Sequence, residues 1–399
     1  MLAFVIAPFF IALLILVFVR ALKHIKIYKF KGSRVVEYIF GLLLFGGLFS
    51  IVAGFLSPST YECKRIFTKI GYYWLGFILY FFIGLGIALL CRMLIWLMAR
   101  KKGYNTIVAR NFTAIFVIVF TTLMSVYGIN NAHNLRVTTY DVNVNKKSSL
   151  NDLDVVLISD LHLGYNVGLK QMQDMVEKIN DLNPDVVVLA GDIFDNEYDA
   201  IENPEAIIET LKNINAKYEK YATYGNHDIE EKILLGFTFT YSEDAKQNVQ
   251  ADERMNRFVE ESGFTFLYDS YELIEDSVYI YGRPDGEKNN FGNTKRIAAK
   301  DITKDLDLNK TIICIDHEPG ELQELADAGV DIDLSGHTHN GQIWPGTITI
   351  KLFWDNAYGL KRIDDMTSIV TSGVGLFGIN MRTGCYPEIV SININNKLR

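Results

Sequence analysis

The sequence predicts an α/β protein: two β-sheets packed as a sandwich and flanked by helices, behind an N-terminal bundle of four transmembrane helices. Three observations predict it. The apolar residues of the first 130 positions gather into four runs near or above the roughly 20 residues that cross a bilayer. Beyond residue 150, short β-branched runs alternate with amphipathic stretches, the strand-helix-strand order of a mixed or parallel sheet. Several of those strands empty into a short polar motif, and all five histidines after residue 135 sit in such motifs.

The four apolar runs are Leu2 to Val19, Tyr38 to Phe55, Tyr72 to Cys91, and Asn111 to about Tyr127. So many long runs within so short a stretch leave too little polar surface to cover them as buried core helices. Tyr72, Tyr73, Trp74, Trp96 and Tyr127 stand near the run ends, as in an interfacial aromatic belt. No basic residue precedes the first run and no small-residue cleavage site follows it, so it is expected to remain as an anchor. Arg20, Lys23, Lys26, Lys29, Lys31 and Arg34 separate the first two runs, and Arg100, Lys101, Lys102 and Arg110 the last two. The middle loop holds only Lys64, Arg65 and Lys69. Basic loops stay in the cytoplasm, so both termini and the C-terminal half are expected to face outward from the plasma membrane.

The division into domains follows: a four-span anchor over residues 1–134 and a second, α/β domain over residues 135–399. Residues 1–149 hold 17 Lys/Arg and 3 Asp/Glu, leaving 22 of the 39 basic and 44 of the 47 acidic residues to the remainder. So acidic a second half repels a phosphate backbone, and no nucleic-acid partner is expected. Cys63, Cys91, Cys314 and Cys385 show no paired spacing, so no disulfide framework or zinc-finger pattern is expected.

In chain order, Leu135 to Val144 alternates as a strand. Asp154 to Ser159 reads as a buried strand delivering Asp160 and His162, and a helix from about Leu169 to Leu182 leads to the strand Asp185 to Ala190, which ends in Gly191-Asp192. A helix around Ile207 to Leu211 and a strand Lys220 to Thr223 precede Gly225-Asn226-His227-Asp228. A helix is expected from Asp244 to Glu261, then strands Phe264 to Tyr268 and Ser277 to Gly282. Thr311 to Ile315 leads to Asp316-His317-Glu318-Pro319, and Ile332 to Ser335 to Gly336-His337-Thr338-His339. The tail alternates at Ile348 to Lys351, Ser368 to Thr371 and Glu388 to Ile394, which predicts a second sheet packed on the first.

Singly these motifs are weak, since Gly and Asp are ordinary turn formers. Jointly they place imidazoles and carboxylates at the carboxyl ends of strands, where sheets of this kind hold ligands. That donor set suits divalent Mn, Fe or Zn. Two such ions about 4 Å apart can clamp the attacking and leaving oxygens of an in-line displacement. A bridging carboxylate is needed to hold them so close, and Asp192 is the candidate, because Asp160 comes with its own histidine. Gly336 is expected to let the last motif turn sharply enough for both imidazoles to face inward. Asn340 is expected to tolerate a left-handed turn, and Arg382 to lie on the surface.

The ordered set AspxHis, GlyAspxxAsp, GlyAsnHisAsp, HisxPro and GlyHisxHis resembles the calcineurin-like metallophosphoesterases, over about residues 150 to 399. Within them, Gly336 to Gln342 and Ile343-Trp344-Pro345-Gly346 look like the bacterial branch related to YkuE and to UDP-2,3-diacylglucosamine pyrophosphatases. The resemblance implies that Asp160, His162 and His339 hold one metal and Asn226, His317 and His337 the other, with Asp192 bridging. It implies that a metal-bridging hydroxide attacks phosphorus while His227, oriented by Asp195, protonates the leaving oxygen.

The expected function is hydrolysis of a phosphoester or pyrophosphate bond by a membrane-anchored enzyme. Its expected partners are the lipid bilayer and a phosphorylated substrate, lipid-linked or derived from the envelope. The alternatives are a tethered protein or nucleotide phosphatase, and a non-catalytic membrane sensor or assembly protein. The second alternative would show as lost ligands, and none of the motifs is missing.

Overall fold

The computed structural model describes residues 2–25, 33–58, 62–98, 106–146, 149–231, 233–234, 237–238, 252–286, 288 and 295–396. The chain divides into two compact units, Met1–Thr122 and Leu123–Arg399. The division falls inside a helix, so that helix's last turns belong to the second unit.

The first unit is built from α1 (Leu2–Ile25), α2 (Ser33–Leu56), α3 (Glu62–Met98) and the start of α4 (Thr106–Ala132). Three helices are long and apolar enough to cross a membrane: Ser33–Leu56, Glu62–Met98 and Ile107–Ala132. The side chains of α1 are described only from residue 11. The number of such helices established among the described residues is therefore three, where the sequence pattern predicted four. Helices α2 and α3 pack through glycines: a Cβ at Gly47 would fall 1.9 Å from Trp74, and one at Gly71 2.6 Å from Ile51. Small residues let membrane helices approach this closely. Trp74 is buried in that contact and donates its indole N–H to the Leu43 carbonyl at 2.6 Å, so it is a packing residue and not part of an interfacial belt. Most of the loop charges that orient the spans, Lys26 to Lys31 and Arg100 to Lys102, lie outside the described residues.

The second unit is the two-sheet sandwich. Its strands are β1 (Arg136–Val144), β2 (Asp152–Ile158), β3 (Val186–Ala190), β4 (Glu219–Thr223), β5 (Ile233–Leu234), β6 (Phe237–Thr238), β7 (Thr265–Phe266), β8 (Ser270–Ile274), β9 (Val278–Gly282), β10 (Thr311–Ile315), β11 (Ile332–Ser335), β12 (Gly359–Ile363), β13 (Met366–Val370) and β14 (Glu388–Asn396). One six-stranded sheet has the order β1-β14-β2-β3-β4-β7 and the other β12-β13-β11-β10-β9-β8, while β5 and β6 form a small hairpin. Both large sheets are mixed. β2, β3 and β4 run parallel, as do β9, β10, β11 and β13, with β8 and β12 antiparallel at the edges.

The inner faces of the sheets make one apolar core, with Val155, Leu157, Val186 and Val188 against Ile313, Ile315, Ile332 and Leu334. Strands buried on both faces read as continuous β-branched runs, which is why DVVVLA and TIICI lack alternation. Helices α5 (Leu169–Leu182) and α6 (Pro204–Lys212), with the helix Glu253–Glu261, cover the outer face of the first sheet through Met172, Met175, Ile179, Ile207 and Phe258. The helix expected from Asp244 is described from Glu253, capped by the Asp252 carboxylate on Arg254 N; residues 244–251 lie outside the described residues. The alternation at Ile348 to Lys351 does not make a strand. It is a short helix, Gly346–Thr349, followed by a 3-10 turn, Ile350–Leu352.

Candidate metal centre

Parallel pairing sets the carboxyl ends of neighbouring strands side by side. Ile158 of β2 lies opposite Leu189 of β3, Ala190 of β3 opposite Thr223 of β4, and Ile315 of β10 opposite Leu334 of β11. The loops that follow carry Asp160 and His162, Asp192 and Asp195, Asn226 and His227, His317, and His337 and His339. Loop backbones tie these turns together: Asp160 N donates to Gly191 O (3.0 Å), His162 N to Asp192 O (3.0 Å) and Gly336 N to His317 O (3.0 Å).

The side chains converge into two groups, with His162 also in a third set with Asp195 and His227. Asp160, His162 and His339 offer ligand atoms within 4.8 Å of one another, and so do Asp192, His317 and His337. In the first, His162 Nε2 and His339 Nε2 are 3.0 Å apart and His339 Nε2 is 3.4 Å from Asp160 Oδ1. In the second, Asn226 Oδ1 lies 3.2 Å from His317 Nε2 and 3.1 Å from His337 Nδ1. One oxygen faces both groups: Asp192 Oδ2 is 3.1 Å from His317 Nε2 and 3.6 Å from His162 Nε2. Buried nitrogen and carboxylate atoms pointed at one another in this way fit a pair of divalent cations.

Second partners orient the rings. His317 Nδ1 donates to the Ala190 carbonyl at 2.9 Å, which aims Nε2 at Asp192. His337 turns Nδ1 inward and presents Nε2 to Glu318 at 3.4 Å. Arg382 is fully buried, not on the surface as expected: its Nη2 donates to Gly375 O (2.8 Å) and Gly373 O (3.0 Å) and faces His339 Nδ1 at 3.2 Å. Burial, with the positive charges of His162 and Arg382, holds His339 well below the usual histidine pKa. Burial and the His317 charge likewise bring His337 down to about 3. Both rings are thereby kept neutral, the state a metal ligand requires. Burial opposes the charged form of His317 too, but the Asp192 carboxylate outweighs it and raises the pKa well above normal.

His227 sits beside both groups. Its backbone N donates to Asp192 Oδ1 at 2.8 Å, and burial lowers its pKa to about 4. The hydrogen bond at its Nδ1 is made with the Asn196 side-chain oxygen, whereas Asp195 Oδ1 lies 3.7 Å from His162 Nδ1. The hydrogen bond on His227 is thus with Asn196, next to the expected Asp195, whose carboxylate lies within 4.8 Å of the ligand atoms of His227 and His162. Asp228 accepts from Gly225 N (2.7 Å) and Phe194 N (2.9 Å) and so shapes the turn that presents His227.

Sequence reasoning missed three further neighbours. Phe377 lies 4.8 Å, centroid to centroid, from His227 and 5.5 Å from His162, capping the first group. Gln342 braces that cap, accepting from Phe377 N (2.9 Å) and donating to Phe377 O (3.0 Å) and Ile379 O (2.9 Å). Trp354 meets His337 edge-on at 5.2 Å. The position of Gln342 in the GlyHisThrHisxGlyGln run was the one available signal.

Residues 153–341 match the calcineurin-like phosphoesterase family. The chain carries a calcineurin-like phosphoesterase domain. It is similar to a transmembrane protein with metallophosphoesterase domain of Danio rerio, 29% identical over 84% of this chain and 77% of that one. An uncharacterized metallophosphoesterase of Campylobacter jejuni is 26% identical over 96% of this chain and 94% of its own. YkuE of Bacillus subtilis is 25% identical over 61% of this chain and 79% of its own. The phosphoesterase is a metal-dependent hydrolase associated with a membrane. Calcineurin-like phosphoesterases use a dinuclear divalent metal centre, and the two His/Asp groups are this chain's candidates for it.

Proposed function

We propose that the chain is a membrane-anchored phosphoesterase of the YkuE-like branch that cleaves a phosphoester or pyrophosphate bond of a lipid-linked or envelope substrate. Asp160, His162 and His339 hold one ion, Asn226, His317 and His337 the other, and Asp192 lies between. The observation that carries this assignment is the single Asp192 oxygen facing both His317 and His162. The bound ions supply a water acidified towards neutrality and neutralise charge growing on the phosphoryl oxygens.

The chain's own side chains supply the rest. His227 stands beside Asp192 with its ring held through Nδ1 by Asn196. In this reading Nε2 must first take up a proton, against the burial that lowers the ring's pKa to about 4, before it hands that proton to the leaving oxygen, a transfer worth about 10²- to 10⁴-fold in rate. Phe377, packed on His227 and His162, limits water beside the reacting phosphate. The apolar run Leu2 to Val19 adds a fourth span to the three, and the basic loops place the catalytic domain on the outer side.

The test is metal analysis with hydrolysis of a generic phosphodiester by the full chain in detergent. Asp192→Asn is expected to lose bound metal and activity together. His227→Ala is expected to keep its metal and lose at least about 10²-fold in kcat. Variants that match wild type in metal content and rate overturn the assignment. A panel of phospholipids, lipid pyrophosphates and nucleotides then separates a lipid-linked substrate from a soluble one.

A further inference from the structure

Strand register shows which end of the sandwich the fourth helix joins. β1 starts at Arg136, four residues beyond the end of α4, and pairs in parallel with β14, Arg136 opposite Glu388. β14 runs antiparallel to β2, with Val390 opposite Leu157. The junction of α4 with β1 therefore lies at the carboxyl end of β2, the end that carries Asp160 and His162.

The segment 381–385 locks this junction to the site. Asn131 Nδ2 donates to Cys385 O (2.7 Å) and Arg382 O (3.1 Å), and Arg382 N donates to Gly128 O (3.0 Å). The approach is close enough that a Cβ at Gly128 would fall 2.9 Å from Thr383. Thr383 in turn holds the next segment, accepting from Trp344 N at its carbonyl (3.0 Å) and its hydroxyl (2.9 Å).

That next segment is the short helical stretch that replaced an expected strand, and its apolar side chains point into solvent. Leu352 is 80% exposed, Phe353 77%, Ile348 61% and Trp344 37%. Scattered apolar residues on a surface need no explanation, but four within ten positions beside an active site mark a contact surface. On the last turns of α4, within the same compact unit, Leu123, Val126 and Tyr127 are also exposed, the pattern of a lipid-facing helix. The patch and the last turns of this candidate span meet at Thr383, which lies against Gly128 and holds Trp344.

We propose that the Trp344–Phe353 segment seats in the headgroup layer of the bilayer, with Lys351 towards anionic lipid, and keeps the metal centre at the lipid surface. Trp is suited to that layer, with an apolar ring and a polar N–H. Trp354 against His337 links the seated segment directly to the site. A second copy of the chain fits less well, since four side chains fall short of the roughly 800 Å² per partner that a stable interface covers. The inference rests on the reading of α4 as a membrane span and not on which phosphate is cleaved.

The test uses the full chain in phosphatidylcholine and phosphatidylglycerol nanodiscs. Cys63 and Cys91 are replaced by Ser, while buried Cys314 and Cys385 are left in place. Single cysteines at Leu352→Cys and Ile348→Cys carry an environment-sensitive fluorophore, with Leu308→Cys, just before β10 and so at the opposite end of the sandwich, as reference. Labels at 352 and 348 are expected to lose intensity several-fold to lipids bearing a nitroxide near the headgroup and to be shielded from aqueous iodide, with the reverse at 308. Iodide quenching at 352 as strong as at 308 overturns the proposal. So does a label at 352 shielded from both quenchers, which would place a second copy of the chain on the patch. Quenching by lipid in a protein that hydrolyses no lipid phosphate sinks the substrate reading alone.

Discussion

Asp160, His162, Asp192, His337 and His339 all hold a positive φ, between 45° and 65°. Non-glycine residues adopt that region at a cost of order 1–3 kcal/mol each, and such strain gathers where a structure fixes side chains for function. The glycine of the GlyHisThrHis motif has a different task from the sharp turn expected of it. Gly336 has no positive φ; the left-handed turns belong to His337, His339 and Asn340, the last as expected of Asn. A Cβ at Gly336 would lie 2.1 Å from Ser159 Oγ and 2.3 Å from Asp160 Oδ2, so Gly336 is there for close approach. Gly336→Ala is expected to push Asp160 aside and lower metal stoichiometry, losing the Asp160, His162, His339 ion first; elemental analysis of purified protein checks this. Asn196→Ala removes the hydrogen bond on His227 and should lower kcat roughly tenfold while both ions stay bound, the size of one such bond. Unchanged kcat would return the orienting role to Asp195.

Among the elements, β11 carries a cost that pH exposes. Asp333 is fully buried between the sheets' strands, accepting from Ser368 Oγ (3.0 Å) and Ser335 Oγ (3.4 Å). Burial, with the Asp316 charge adding to it, raises its carboxyl pKa to about 7. The folded chain then holds a proton that the unfolded chain releases near pH 4. Between those values the folded state binds more protons, so stability falls as pH rises, by up to about 1.4 kcal/mol per pH unit. Asp333→Asn is neutral throughout and should lose less melting temperature than wild type between pH 5 and pH 8. Equal losses would show that Asp333 is ionised in the fold. Neighbouring Asp316 is paired with buried Arg283 at 2.6 Å and with Arg296 at 3.1 Å, and this cluster anchors the turn that carries His317.

For the whole molecule, orientation matters most, because it decides which phosphates the site can meet. A reporter fused behind Arg399 should score as extracytoplasmic if four spans precede the domain; a cytoplasmic score refutes that topology and removes envelope substrates from the outer side. Three described helices are long and apolar enough to span, and a second reporter placed before Leu2 shows whether Leu2 to Val19 crosses as well. The same chain continuity that anchors the domain ties α4 to the loop holding Arg382, through Asn131. The last turn of α4, which lies in the catalytic unit, is therefore linked to His339 through two hydrogen-bonded residues, Asn131 and Arg382.

Residue type and order alone marked the central strands and the histidine motifs at their ends, because buried parallel strands and turn-borne ligands are local patterns of period and composition; they did not assign strands to sheets, since β14, expected in the second sheet, lies in the first between β1 and β2. β10 and β11 fall where the runs predicted them, and α5 spans the same residues. Edge strands β8 and β12 were illegible, since a partly exposed strand lacks the dense β-branched run that marks a central one. What only the tertiary structure decided are the partners across the sheet: Asn196 on His227, Arg382 behind His339, Phe377 over the rings. Their spacing in the chain, up to 215 positions from the residues they serve, leaves no local trace. The stretch after Trp344 is the sharpest case. Its alternation of apolar residues predicted a strand, yet it coils into a short helical stretch whose apolar side chains face outward.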